Sequence, residues 1–147
     1  MPQTSPSEDP ATERHRLMET AREVLASGAS RADPVYRQIF TEHPLVMWVY
    51  DVETLQILDA NDAAVKLYGY SYSEFTCMSL RDIRPAEDIP KFLELTRELP
   101  HFDRSGPWRH RKHDGMVIQV LITSHAITFG PHNARLVIVE DPDEAPL

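Results

Sequence analysis

The apolar positions of this chain change period several times, and each change marks an element. Leu17, Ala21, Val24 and Leu25 repeat at i, i+4, i+7 and i+8, which predicts an amphipathic helix of about four turns whose stripe needs a partner. Gly28, Ala29 and Ser30 end it. Asp33 before Pro34 reads as an N-cap with proline at the first helical position, opening a short turn through Phe40. Two apolar runs, 45–50 and 55–59, flank the turn 51–54 and predict a hairpin. Residues 79–84 read as a brief helical turn. Ile89, Phe92, Leu93, Thr96 and Leu99 then follow helical spacing, with Asp88 as cap and Pro90 in the first turn, and the helix stops before Pro100. The stretch 101–107 reads as a loop. Strands are predicted at 108–113 and 116–129 around Asp114-Gly115, with a last strand at 134–139.

In the long strand, Ile118, Val120, Ile122 and Ser124 point one way and Val117, Leu121 and Ile127 the other. A strand apolar on both faces is covered on both. The outer cover is expected to be the stripe at 17–25, a partner subunit, or both.

The stretch LDANDAAVKLYGYSYSEF, residues 58–75, is dense in stop and start signals. Asn61 or Asp59 can cap a short helix, in which Ala60, Ala64 and Leu67 or Tyr68 share one face. Gly69 can close it in the left-handed conformation. Ser71 and Glu74 have capping-box spacing, and Tyr70 and Phe75 the places of a hydrophobic staple. Two strands at the start, three at the end and short helices between predict an α+β fold. It is a five-stranded antiparallel sheet with helices over one face and the N-terminal amphipathic helix on the other.

The wording N-x-A-x-x-x-x-x-G-Y-S-x-x-E, carried by Asn61, Ala63, Gly69, Tyr70, Ser71 and Glu74, resembles the PAS domain family. FTEHPLVMWVYDVETLQILDAN from Phe40, SLRDIRPAEDIPKF from Ser79, WRHRKHDGMVIQV from Trp108 and ARLVIVEDPDE from Ala134 are similar to PAS wording in the family's order. The resemblance spans 36–141. It implies a sensory module at 34–141, preceded by a disordered tail at 1–10 and a helix with linker at 11–33, and followed by a tail or truncated linker at 142–147. It further implies a bacterial signalling role in ligand sensing, homodimerisation or both. Flanking helices would couple the module to an effector domain or partner such as a histidine kinase or a cyclic-di-GMP enzyme.

Composition narrows the chemistry. The chain has 147 residues, 41% of them hydrophobic, enough for one core. One cysteine, Cys77, excludes an internal disulfide, and no stretch has the length and apolarity of a membrane span or signal peptide, so a cytoplasmic protein is expected. A net charge of −8 opposes nucleic-acid binding. The basic run at 109–113 reads as the solvated end of a strand pair. Neither a nucleophile elbow nor a phosphate loop, zinc-protease or kinase signature occurs, so no enzymatic activity is expected. No metal site is expected either: His110 and His113, three apart on a strand, face opposite ways.

The resemblance also places a pocket between the inner sheet face and the helices. Its expected lining is Met47, Trp48, Val49, Ile57, Asn61, Leu67, Phe92, Leu93, Val120, Ile122 and Ser124. The same side chains suit a closed core. No cofactor is predicted. The family's covalent flavin site needs a cysteine where this helix has Asp62, and a haem-binding alternative leaves His101, just past the long helix, as ligand. A small apolar ligand is the further alternative. The dimer interface is expected at Leu17, Ala21, Val24 and Leu25, packed near Leu121.

Overall fold

A computed structural model describes residues 10–141; the tail expected at 142–147 lies outside them, as does all but Pro10 of the tail expected at 1–10. Helix α1 (Pro10–Ala26) is followed by a linker and by α2 (Pro34–Tyr36), which runs on into a π-helical turn. Asp33 caps α2 by accepting from the Val35 and Tyr36 amides, with Pro34 in the first turn. The hairpin β1 (Val46–Asp51) and β2 (Ile57–Ala60) leads into α3 (Asp62–Tyr68) and α4 (Tyr72–Phe75). After a turn, α5 (Ile89–Thr96) precedes the meander β3 (Phe102–Arg111), β4 (Val117–Phe129) and β5 (His132–Glu140).

The sheet order is β2-β1-β5-β4-β3, and every neighbouring pair is antiparallel. First and last strands meet at its centre, where Trp48 pairs Val137 and Met47 pairs Ile138. Alternation then assigns the faces. Trp48, Tyr50, Val120, Val137 and Val139 enter a core with α3, α4 and α5, while Met47, Val49, Ile127, Leu136 and Ile138 pack beneath α1 and α2. The predicted two-sided covering is therefore observed within one chain.

Local signals in the central stretch work as the sequence implies. Asn61 Oδ1 accepts from the Ala64 amide at 3.0 Å, Gly69 closes α3 at φ 82°, and Ser71 with Glu74 forms a complete capping box. Tyr70 stacks edge-on against Phe75 at 5.9 Å.

Several expectations need correction. Asp88 makes no side-chain cap; its carboxylate takes two hydrogen bonds from the Arg109 guanidinium, at 2.6 and 2.8 Å, a stronger charge-assisted partner than an amide. Helix α5 ends at Thr96, and the stretch expected as a loop at 101–107 is mostly strand, since β3 begins at Phe102 and is interrupted by a bulge between Ser105 and Trp108. Gly106 makes that bulge possible: its φ is 130°, and a Cβ there would lie 2.8 Å from the Val120 carbonyl oxygen. The buried stripe of α1 runs through Arg14, Met18, Ala21 and Leu25, so Ala21 and Leu25 lie in it as expected while Leu17 and Val24 flank it half-buried. Leu121 is half-buried too and lies outside this cluster.

Candidate functional site

The site begins with a turn. Residues 80–84 leave the bridge between Gln56 and Ser79 and carry Arg84 under the sheet just ahead of α5. Its side chain is 4% exposed. Nη1 donates to the Leu80 carbonyl at 2.5 Å, Nη2 to His110 Nε2 at 3.0 Å, and the guanidinium lies over the Phe92 ring at 3.6 Å. The Nε–H has no partner, and among the described residues Arg84 makes no ion pair with a carboxylate. Burial lowers its pKa to about 10, which still leaves it cationic at neutral pH.

His110 is fully buried, on the inward-facing side of β3. A guanidinium can only donate, so Nε2 is an acceptor and the ring proton sits on Nδ1, 2.7 Å from the Tyr68 hydroxyl oxygen. Burial, and secondarily Arg84, pushes the imidazole well below its usual range; burial pushes the Tyr68 phenol up. The histidine is thus held neutral in one tautomer. The basic run at 109–113 is accordingly not one solvated surface: Arg109 pairs with Glu87 and Asp88, and His110 is interior.

Beside this group lies a cavity of about 180 Å³. Trp48 and Tyr50 of β1, Ile122 and Ser124 of β4 and Val137 of β5 form one wall, and Phe92 with Leu95 of α5 the other. Arg84, His110, Asp103, Ser105 and Trp108 border it as well. The Trp48 indole N–H is buried without a partner, and burial pushes the Tyr50 phenol up to about 12. A second buried polar group sits at the other end of β2. Asp59 accepts from the Tyr36 hydroxyl, from Tyr72 at 3.0 Å and from Arg31 at 2.7 Å, tying the linker after α1 to β2 and α4.

The PAS domain profile matches residues 44–141. The chain belongs to the PAS domain family. Solved structures agree on the fold. A PAS domain of a two-component sensor histidine kinase superposes with a TM-score of 0.56 at 19% identity, covering 68% of this chain and 86% of that one. The PAS domain of an HTR-like protein from Haloarcula marismortui gives 0.61 at 18% identity, covering 89% and 98%. A LOV protein from Rhodobacter sphaeroides gives 0.61 at 12% identity, covering 89% and 69%. No curated protein matches the sequence. PAS domains are typically sensory modules and are common in signalling proteins such as histidine kinases.

Within this PAS domain the expected pocket residues separate. Trp48, Phe92, Ile122 and Ser124 meet at the cavity. Met47 and Val49 do not, because adjacent strand residues face opposite ways and these two lie beneath α1. Asn61 is committed to structure: besides its cap, Oδ1 accepts from the Met47 amide at 3.0 Å and Nδ2 donates to the Leu45 carbonyl at 2.6 Å. Ile57 and Leu93 belong to the solid core, while Leu67 and Val120 line a separate cleft with Val46 and Val139. His101 is exposed and borders no part of the cavity; its carbonyl accepts from the Ala126 amide. The expected lining missed Tyr50, Leu95, Asp103, Ser105, Trp108 and Val137 and, of most consequence for the chemistry, Arg84 and His110. Arg84 stood in a recognised motif, but nothing in its spacing signals that it turns inward.

Among the described residues, no helix is long and apolar enough to cross a membrane, and no group of three or more His, Cys, Asp or Glu side chains could hold a metal ion.

Proposed function

We propose that this PAS domain senses a small organic molecule bound in the cavity between α5 and the inner sheet face. It would pass occupancy through the sheet to α1 and onward to an effector or partner such as a histidine kinase. The observation that carries the reading is the cavity itself. A pocket of about 180 Å³ that reaches solvent past the half-exposed Leu95, and is bordered by the unpartnered buried donors of Arg84 and Trp48, offers a ligand both an entrance and polar groups to satisfy. Engineered apolar cavities of roughly 150 Å³ hold benzene, so a ligand about one ring in size fits. The two sheet faces share the backbones of β1, β4 and β5, so a shift at Trp48 or Ile122 moves Met47 and Leu121.

Pairing is the second part of the reading. Ala21 and Leu25 are spent on the chain's own core, leaving the half-buried flank of Leu17 and Val24 for a second copy. The test of the cavity is xenon pressure on the methyl-labelled intact chain. Shifts at Leu95, Ile122 and Val137, with none at Leu136 and Ile138, are expected; silence at the first three overturns the reading. The ligand is proposed to be colourless, and a Soret or flavin band in the purified protein would contradict that.

A further inference from the structure

The polar side of the cavity is cationic and rich in donors. Arg84 is buried with no carboxylate in ion-pair reach, although a buried charge without a counter-ion costs several kcal/mol and side chains this deep are nearly always paired. Stacking on Phe92 and the bond to Leu80 offset part of that cost. Asp88 acts on the charge only from beyond ion-pair reach and is itself bonded to Arg109, so no carboxylate among the described residues touches the guanidinium. His110 cannot act as an acid toward a ligand, since both ring nitrogens are engaged; it holds the guanidinium by Nη2. The carboxylate on the wall, Asp103, is half-buried and interacts electrostatically with Arg135. The Nε–H of Arg84 and the indole N–H of Trp48 thus remain as two buried donors with no acceptor.

We infer that the cavity takes a small monocarboxylate on an apolar body about one ring in size, with the Arg84 guanidinium as its counter-ion. This rests on the ligand-binding reading above and names the ligand's class. A carboxylate is acceptor-only and matches a guanidinium's N–H groups in strength and geometry. Its apolar body would meet Leu95, Ile122 and Val137. A cationic ligand would face Arg84 unpaired, and a neutral one would leave its charge without a counter-ion.

The test compares benzoate, benzyl alcohol and benzylamine as probes on the intact chain, by calorimetry and by the Nε–Hε resonance of Arg84 in ¹⁵N-arginine-labelled protein. Benzoate should bind at least about tenfold more tightly than benzyl alcohol and move the Arg84 signal. Benzylamine should not bind. In Arg84→Met the preference for benzoate over benzyl alcohol should vanish; if that variant does not fold, the wild-type resonance decides alone. Equal binding of benzoate and benzyl alcohol, or an Arg84 signal that benzoate leaves unmoved, overturns the inference. Xenon entry without benzoate binding overturns it too while leaving the cavity reading intact, whereas failure of xenon and all three probes overturns both.

Discussion

The two faces of the sheet are built from the same three central strands and end in opposite states. Under α1 the apolar packing is close: Met18, Leu25, Met47, Val49, Leu136 and Ile138 are buried with at most a trace of surface. Among the described residues, the polar side-chain atoms left there without a partner are the Thr41 and Thr123 hydroxyls and one oxygen of Glu140. The charges on that side sit at the margin and are paired, Arg14 with Glu140 at 3.1 Å and Arg22 with Glu19 at 4.0 Å. Under α5 lie an open pocket, two buried arginines, Arg84 and Arg135, with no carboxylate among the described residues in ion-pair reach, and two orphan donors. A chain that can seal one face this well has the residues to seal the other. On the proposed reading the open face is the one on which a ligand acts, and the other face is the seat of the helix that would report on it.

That contrast can be broken most drastically by removing the cover. A chain lacking residues 1–26 loses the burial of Met18 and Leu25, about 1.5–3 kcal/mol each, and uncovers Met47, Val49, Leu136 and Ile138. Against total stabilities of ~5–15 kcal/mol, it should lose cooperative unfolding or self-associate in sedimentation experiments. A stable monomer would show that α1 is dispensable to the fold.

Point substitutions sharpen the same contrast. Ile138→Ala on the sealed face should cost about 2–5 kcal/mol in urea unfolding, because a new hole opens in packed surroundings. Ile122→Ala, half-buried beside a void that already exists, should cost ~1 kcal/mol or less. Equal losses at the two sites would mean that the inner face is as solidly packed as the outer.

Acid provides an intermediate test. Folding holds His110 neutral, so below about pH 6.5 the unfolded chain binds the proton that the folded chain refuses. Stability from this source is full above that pH and falls as pH drops through it, by at most ~1.4 kcal/mol per unit. His43, lowered by burial, adds in the same direction. Asp51, Glu74 and Asp88, held low chiefly by hydrogen bonds to Thr54, Ser71 and Arg109, contribute stability that is lost only as pH falls further, below about 4. The urea midpoint should therefore decline between pH 7 and 5 in the wild type and flatten in His110→Gln. A wild-type midpoint constant over that range contradicts the neutral, buried imidazole.

Much of the fold was legible because its instructions are local. Gly69, Ser71, Glu74 and the cap that Asn61 makes to Ala64 act on backbone within a few residues, and the structure uses each as its spacing implies; the further bonds of Asn61 to Leu45 and Met47 do not show in that spacing. Less of the site was legible. Met47 and Val49 share an apolar run with Trp48, and composition cannot say which face of the strand looks at α5. Asp88 looked like a cap until Arg109, 21 residues away, offered a better partner. Leu17 was placed in the stripe of α1 where Met18 lies because both are apolar, and the sheet beneath decides between them.

What the sequence determined by itself is therefore the order of elements, their punctuation and the family, since hydrogen bonds between near neighbours and a period of two or 3.6 are written along the chain. Only the tertiary structure decided that Arg84, His110 and Phe92 meet around a void. Arg84 and His110 are 26 residues apart, and their contact depends on how β3 pairs and where the turn before α5 falls. No local preference encodes that distance. A buried cation at neutral pH exists because packing on every side of it removes water that the isolated sequence would keep.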